Sequence, residues 1–356
     1  RLAETYFPPE IAAYLHRYEL QLHPKKITGF LKLYDTVQNT WKNWSLAIFP
    51  AYHSRNAISN VWNNALAEVY APKYYTEAWN LLGGKAKRDL TIKGKAYTPE
   101  TLMDLLVQEE VIGKGWYAAD MPRDLSAQFS KGRWWTLGEE NKALRLGFKV
   151  GERIENHARV AHFLGRVAKG DTTEQAVQSV KKYLFDYSEL TDFEKYTMKR
   201  IMPFYTWTRK NIPLQLEMLA KQPAKFVGLE KGIASIETAL VPEGMEGERY
   251  LPKFVRENYP MRIGTNSKGK SEYFFLGSWI PAADLQKLMT PFTASTFSGK
   301  IKTGTDLLSP LIKIPVEQLF NKSLFYEQPL ERLAGETLKF GPLEVAVKID
   351  RDLVCK

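Results

Sequence analysis

KYTMKRIMPFYTWTRKNIPLQLEMLAKQPAKF, residues Lys195–Phe226, is at once apolar, aromatic and basic. Its apolar residues recur every three or four positions, which is the spacing of one helix face. Pro203, Pro213 and Pro223 interrupt the pattern, and a proline inside a helix removes one backbone donor and kinks or ends the helix. We therefore expect a helical rod that bends at Pro203 and again at Pro213. The stretch has no catalytic pattern and is typical of a surface that packs against another one.

The composition around this stretch indicates a folded, basic protein. The chain has 356 residues, 44% of them hydrophobic, and this length is more than one compact core usually organises. Nine Trp, eighteen Tyr and eighteen Phe supply side chains that dominate cores and interfaces. The 50 basic and 40 acidic residues give a net charge of +10. This charge favours an acidic partner such as nucleic acid, an anionic membrane or an acidic protein, or else it is an ordinary solvated surface.

Cysteine content and hydropathy exclude several classes of protein. Cys355 is the only cysteine, so the chain forms neither an internal disulfide nor a thiolate metal site. No apolar run reaches the roughly 18 residues of a membrane-spanning helix, and no segment has the pattern of a signal peptide. Because the chain begins with Arg1 and enters a helical pattern almost at once, we expect it to be a piece of a longer polypeptide.

Helical periodicity dominates most of the chain. We expect helices at about 7–22, 26–49, 51–71, 73–82, 98–113, 139–169, 172–185 and 226–240. Extended segments are expected at 88–97 with a turn at Lys93–Lys95, at 261–276 as a hairpin, and at 343–349. The predicted fold is mainly α, an elongated multi-helix assembly with a small β-hairpin element near residues 260–280.

Changes in composition along the chain predict four regions. They are an N-terminal helical region at 1–114, an aromatic loop or hinge at 115–138, a long-helix region with the proline-broken rod at 139–240, and a mixed α/β C-terminal region at 241–356. The hinge is predicted from its glycines, from Pro122 and from aromatic residues such as Trp134 and Trp135.

The helix expected at 51–71 is unusually polar. Asn56, Asn60, Asn63 and Asn64 recur at helical spacing along one side of it. Asn is a mediocre helix former, because its side chain competes for backbone hydrogen bonds. We interpret this side as a structural hydrogen-bond network that fixes a contact between helices, in preference to a wet surface or a catalytic site.

Small residues and capping patterns mark the helices that follow. Gly147 and Gly151 are four positions apart, as are Ala161 and Gly165, and such spacing lets a second helix approach closely. Two helix starts have the pattern of a capping box, Asp171–Glu174 and Thr191–Glu194.

The residue types that carry chemistry form no recognisable enzyme site. His157 and His162 are five positions apart, not at the four-residue spacing of a helical metal pair, and we interpret the histidines as interfacial or surface residues. Phosphate-binding glycine loops and the nucleophile elbow are absent from the sequence. We predict that the chain is not an enzyme and that it holds no catalytic residue, cofactor or metal.

Three segments together resemble a family of viral proteins. They are FPAYHSRNAISNVWNN, which ends at Asn64, MPFYTWTRK at Met202–Lys210 with Gln222 and Pro223 after it, and SPLIKIPVEQLFNKSLF at Ser309–Phe325. Their patterns and their order are similar to those of large virion-associated polypeptides of tailed bacteriophages, the polyvalent and internal ejection proteins. The resemblance covers roughly residues 44–325.

The resemblance implies a structural component of a phage virion. Such a protein would form a homo-oligomer and pack against portal, tail or other proteins of the capsid interior, and it would enter the host envelope or cytoplasm with the genome. Two alternatives stay open from the sequence. One is a protein that binds DNA or a membrane during genome delivery through its basic aromatic segments. The other is a domain of a larger enzyme whose site no motif marks.

The candidate interface residues lie in these three segments and in the basic part of the rod. They are Arg55, Asn56, Asn60, Trp62, Lys199, Arg200, Pro203, Phe204, Trp207, Arg209, Lys210, Lys313, Pro315 and Glu317. Aromatic residues and Arg are enriched at protein interfaces. The bend at Pro203 would set how one helix meets a neighbouring subunit.

Overall fold

The computed structural model describes residues 29–113, 142–186, 190–240, 260–267, 271–275, 307–321, 337–340 and 343–346, with residues 279, 281 and 323. Its helices are α1 (Gly29–Ala47), α2 (Pro50–Leu66), α3 (Pro72–Leu82), α4 (Pro99–Gln108), α5 (Lys142–Ala168), α6 (Thr173–Tyr183), α7 (Lys199–Ile201), α8 (Tyr205–Lys221), α9 (Pro223–Leu240) and α10 (Pro310–Phe320). A π-helical turn, Glu194–Met198, leads into α7. The predicted mainly α fold is confirmed.

Within the described residues, the strands form antiparallel hairpins. The pairs are β1 (Leu90–Ile92) with β2 (Lys95–Tyr97), β3 (Pro260–Thr265) with β4 (Ser271–Phe275), and β5 (Thr337–Phe340) with β6 (Leu343–Ala346). Lys93 and Gly94 both have positive φ, 48° and 84°, as a two-residue turn matched to the strand twist requires. The predicted turn at Lys93–Lys95 and the hairpin near residues 260–280 are therefore confirmed.

Local capping chemistry starts several helices where the sequence predicts it. Thr98 caps α4 by accepting a hydrogen bond from the Thr101 amide, and Pro99 occupies the first turn. The box predicted at Asp171–Glu174 forms one residue later, between Thr172 and Gln175. There the Thr172 hydroxyl accepts from the Gln175 backbone N–H, and the Gln175 side chain accepts from the Thr172 backbone N–H.

Glycines of α5 allow close approaches, and at Gly147 the neighbour is a helix, as predicted. A Cβ added to Gly147 would lie 1.9 Å from the carbonyl oxygen of Ala47, at the end of α1. A Cβ added to Gly165 would lie 2.5 Å from a methyl group of Val69. Helix α5 therefore contacts neighbouring backbone directly at one position and a buried valine at the other.

The core lies around α5. A first cluster joins buried apolar residues of α3, β1, α4, α5 and α6, with Leu106 and Phe163 fully buried. A second joins the ends of α1 and α2 with α8, through Leu46, Leu66 and Met218. Residues on both sides of 114–141 thus share one core, while the four predicted region boundaries stay predictions.

The proline-broken rod is present in part. The helix is broken at Met202–Phe204, so the interruption predicted at Pro203 is confirmed. Pro213 lies inside the continuous helix α8, and the bend expected there stays a prediction. The chain leaves helix at Gln222, and α9 begins at Pro223. Pro213 and Arg209, whose carbonyl loses its usual donor, are both exposed, so water can satisfy the carbonyl.

Several predictions fall outside the described residues. They are the helix at 7–22 and the aromatic hinge at 115–138.

Candidate functional site

The asparagine side of α2 forms a buried hydrogen-bond network, as predicted. The side chain of Gln215 in α8 is fully buried, and its Nε2 donates to Oδ1 of Asn63 at 3.0 Å and of Asn211 at 3.1 Å. Its Oε1 accepts from the indole Nε1 of Trp62 at 2.9 Å. Both amide hydrogens of Gln215 are used, so the network fixes one register between α2 and α8.

The remaining candidates on α2 are less engaged. Asn60 is 9% exposed, and its Nδ2 has no hydrogen-bond partner among the described residues. Asn56 is half-buried. The guanidinium of Arg55 lies 5.7 Å from the ring centroid of Trp207, within the range of a cation–π contact. The structure therefore brings Arg55 and Trp207 together within one chain.

The break at Pro203 is held by side chains from α1. In a continuous helix, the carbonyl of Lys199 would accept a hydrogen bond from the backbone N–H of residue 203. That residue is a proline and has no N–H. The side chain of Gln38 supplies the missing donor, with its Nε2 2.7 Å from the Lys199 carbonyl oxygen. The hydroxyl of Tyr34 donates to the next carbonyl, that of Arg200, at 2.7 Å.

The start of α10 completes this junction. The backbone N–H of Ser309 donates to the Ile201 carbonyl at 2.7 Å, and its hydroxyl donates to Oε1 of Gln38 at 3.0 Å. Ser309 also caps α10 by accepting from the Leu311 amide. Two of the three segments that carry the resemblance, Met202–Lys210 and Ser309–Phe325, therefore meet at α1.

A shallow apolar cleft of about 260 Å³ lies beside the junction. Its lining includes Trp41, Met202, Pro203, Phe204, Leu308, Pro310 and Lys313. The rings of Trp41 and Phe204 lie 6.0 Å apart. Pro203, Phe204 and Lys313 are thus neighbours in space, whereas Pro315 is exposed farther along α10 and Glu317 is half-buried in its later turns.

Arg200 and Arg209, two of the predicted interface cations, are in ion pairs within the chain. Arg200 binds Asp35 through two bonds, at 2.7 and 2.8 Å, and this pairing raises the pKa of the guanidinium. Arg209 lies 2.6 Å from Glu194. Lys199 and Lys210 are half-buried.

Glu194 is the centre of a small polar cluster where the rod begins. Its carboxylate accepts from the backbone N–H and hydroxyl of Thr191, both at 2.8 Å, and from the hydroxyl of Tyr205 at 2.8 Å. The Thr191 amide bond is the main cause that lowers the pKa of Glu194. The capping box predicted at Thr191–Glu194 is confirmed, since the Glu194 amide donates back to the Thr191 hydroxyl.

Helix α1 has an orientation that the sequence does not reveal. Its polar residues Gln38 and Lys42 are each 4% exposed, while Val37 and Trp44 are 43% and 38% exposed. Leu33 is 63% exposed on the same side. The sequence did not identify Gln38 and Asp35 as site residues, because their partners lie more than 160 positions away in the chain.

His162 differs from the surface or interfacial residue that we expected. It is fully buried, between Asn64 of α2 and Ser179 of α6.

Within the described residues, no three or more His, Cys, Asp or Glu side chains are placed to hold a metal ion. In the same part of the chain, no helix is long and apolar enough to cross a membrane.

Nothing in this geometry forms a recognised small-molecule site, and the features that stand out are contacts between helices. Comparison of the chain with protein-family models, with curated proteins and with solved structures gives no match.

Proposed function

We propose that the chain is a structural protein of a tailed-phage virion that oligomerises and packs against portal, tail or other internal proteins. The resemblance of its three segments to virion-associated proteins supports the assignment to a tailed-phage particle. The geometry supports the structural role, because the polar residues at the centre of the molecule join helices to one another. The proposal places the protein in the capsid interior or in the portal or tail region.

The observation that carries the proposal is the exposed apolar face of α1. A helix on a soluble monomer normally turns its apolar side inward, and exposed apolar patches mark interaction sites. Here Leu33, Val37 and Trp44 point outward. Between Leu33 and Trp44 the only charged residues are Asp35, paired with Arg200, and Lys42, which is buried. The outward face is therefore uncharged and carries these large apolar side chains, which suits a protein partner.

Binding to DNA or to an anionic membrane receives less support. The net charge of +10 favours such partners. However, Arg200 and Arg209 already neutralise Asp35 and Glu194 within the chain. These two cations of the basic rod are thus engaged within the chain.

A charge placed on the α1 face tests the assembly proposal. We expect the chain to form oligomers at micromolar concentration, and Val37→Glu to shift them to monomers, because assembly would bury the new carboxylate in an apolar contact. Multi-angle light scattering measures the mass. Val107→Glu is the matched control, since Val107 is also exposed but lies on α4. A monomeric wild type at all micromolar concentrations, or equal effects of the two variants, would contradict the proposal.

Removing the break in the rod is expected to impair assembly while helix content stays nearly intact. Pro203→Ala restores an N–H that can bond the Lys199 carbonyl, which displaces Gln38 and joins α7 to α8. The cleft and the start of α10 would then move. Circular dichroism and light scattering check the two parts of this prediction. Pro213→Ala, inside the continuous α8, is the control and should assemble like the wild type.

A further inference from the structure

The buried imidazole of His162 joins three helices. Its Nδ1 lies 2.9 Å from Oδ1 of Asn64 in α2, and its Nε2 lies 2.8 Å from the hydroxyl of Ser179 in α6. Asn64 is held in place by two further bonds, from its Nδ2 to the hydroxyl of Tyr75 at 3.0 Å and to the carbonyl of Ala158 at 3.1 Å. The contact between α2, α5 and α6 thus includes a continuous chain of polar groups inside an apolar core.

These bonds determine where the proton of the ring sits. Since Nδ2 of Asn64 donates to Tyr75 and Ala158, its Oδ1 is the atom that faces the ring and can only accept. Nδ1 of His162 therefore carries the hydrogen and donates it. Nε2 is then the acceptor for the Ser179 hydroxyl. The neutral ring satisfies every polar group at this junction.

The charged and titratable groups around the ring oppose a second proton. Arg159 and Arg166 lie on α5 itself, paired with Glu155 and Asp171. Tyr183 of α6 places its ring 5.7 Å from the imidazole. On the side of α2 and α3, the uncharged side chains of Asn64 and Tyr75 continue the hydrogen-bond chain from the ring. Burial, and then the two arginines, lower the pKa of His162 to about 3.

A side-chain amide, an imidazole and a hydroxyl that are hydrogen-bonded in this order also occur in the active sites of enzymes that use a nucleophilic side chain. Here the imidazole has no exposed surface, and a base with so low a pKa takes no proton from a serine hydroxyl at neutral pH. The junction is therefore suited to holding helices together and not to catalysis.

We propose that this junction is an acid-sensitive latch: protonation of His162 releases α6 from α5 and α2. A protonated ring would be a buried cation beside two arginines, with its Nε2 changed from an acceptor to a donor toward Ser179. Opening α6 exposes the ring to water and removes that penalty. The latch is independent of whether the chain belongs to a virion.

The direction in which pH changes the opening of the latch follows from the lowered pKa of His162. A ring with an ordinary pKa near 6.5 when exposed, and about 3 when buried, binds its proton mainly in the open state between these values. The latch is therefore fully closed above about pH 6.5, and its opening constant rises about tenfold for each pH unit below that. From about pH 7.5 to pH 5 the increase is about 30-fold.

Hydrogen exchange of the full chain tests the latch. After correction for intrinsic exchange rates, we expect the amides of α6 to lose about 30-fold protection between about pH 7.5 and pH 5, while those of α4 change little. His162→Gln should abolish the pH dependence. His157→Gln, on the same helix, should retain it.

Two further measurements keep the proposal falsifiable if His162→Gln does not fold. Ser179→Ala should lower the protection of α6 at both pH values and keep the pH dependence, because the titrating ring remains. An NMR titration of the wild type should find the His162 ring neutral in the closed form down to about pH 5. A ring that titrates near pH 6.5 with α6 still protected, or a pH dependence that survives in His162→Gln, overturns the latch.

Discussion

Replacing Arg159 with methionine is expected to lower the free energy of unfolding by about 3–5 kcal/mol, the cost of breaking a buried ion pair. The Arg159 and Glu155 side chains are only 2% and 6% exposed, with 2.9 Å between their charged atoms. The same guanidinium donates to the carbonyls of Leu184 and Phe185 at 2.8 and 2.7 Å, just past the end of α6. Methionine fills the volume but supplies none of these hydrogen bonds. Chemical denaturation measures the loss.

A matched pair on the surface controls for the role of burial. Glu217 and Lys221 have the same four-residue spacing, but Lys221 is 63% exposed and the pair is solvated. Lys221→Met is expected to change the free energy of unfolding little, because a solvated ion pair contributes little to stability. Replacing both Glu155 and Arg159 with apolar residues should recover much of the stability, because no unpaired charge remains. A cost of less than about 1 kcal/mol for Arg159→Met would show that the buried pair contributes little.

Adding one methyl group at Gly147 is expected to destabilise the protein by about 1–3 kcal/mol. The new Cβ would meet the Ala47 carbonyl oxygen at 1.9 Å, and this atom belongs to the backbone of α1, so a side-chain rotation cannot relieve the overlap. Helices α1 and α5 must move apart. The shift in the midpoint of urea unfolding measures the effect.

The same substitution elsewhere should have the opposite sign. Gly228 is exposed inside α9, and an added Cβ meets nothing within 4 Å. Gly228→Ala should therefore stabilise the protein by about 0.5–1 kcal/mol, the usual gain from replacing glycine within a helix. If both glycine variants changed stability in the same direction, the close approach at Gly147 would not be the cause.

The features that the sequence predicted well are local ones. The cap at Thr98 and the turn at Lys93–Gly94 depend on groups a few residues apart, so the sequence alone shows donor and acceptor together. The box at Thr172 was displaced by one residue, because both Asp171 and Thr172 are good caps and pattern alone does not rank them. Pro213 does not end its helix, because water can reach the carbonyl that it leaves unbonded, and the sequence pattern alone does not show that access.

The candidate site was predicted less completely. Asn63 and Asn64 were recognisable, since asparagines repeated on a helix need an explanation. Their partners Gln215 and His162 were not, because they lie 152 and 98 positions away. No periodicity connects such positions, and the buried state of His162 has no signature in its neighbours along the chain.

The sequence by itself determined the mainly α class, the two hairpins at 90–97 and 260–275, the break at Pro203 and the close approach at Gly147. Each follows from the backbone preferences or the size of residues that are adjacent in the chain. Only the tertiary structure decided which side of α1 faces inward. Periodicity defines two faces of a helix, but Gln38 is buried because the carbonyl of Lys199 lacks the N–H that Pro203 cannot supply. The two partners of Gln38, Lys199 and Ser309, lie 161 and 271 positions away in the chain, so no local pattern marks Gln38 as the inward residue and Val37 and Trp44 as the outward ones.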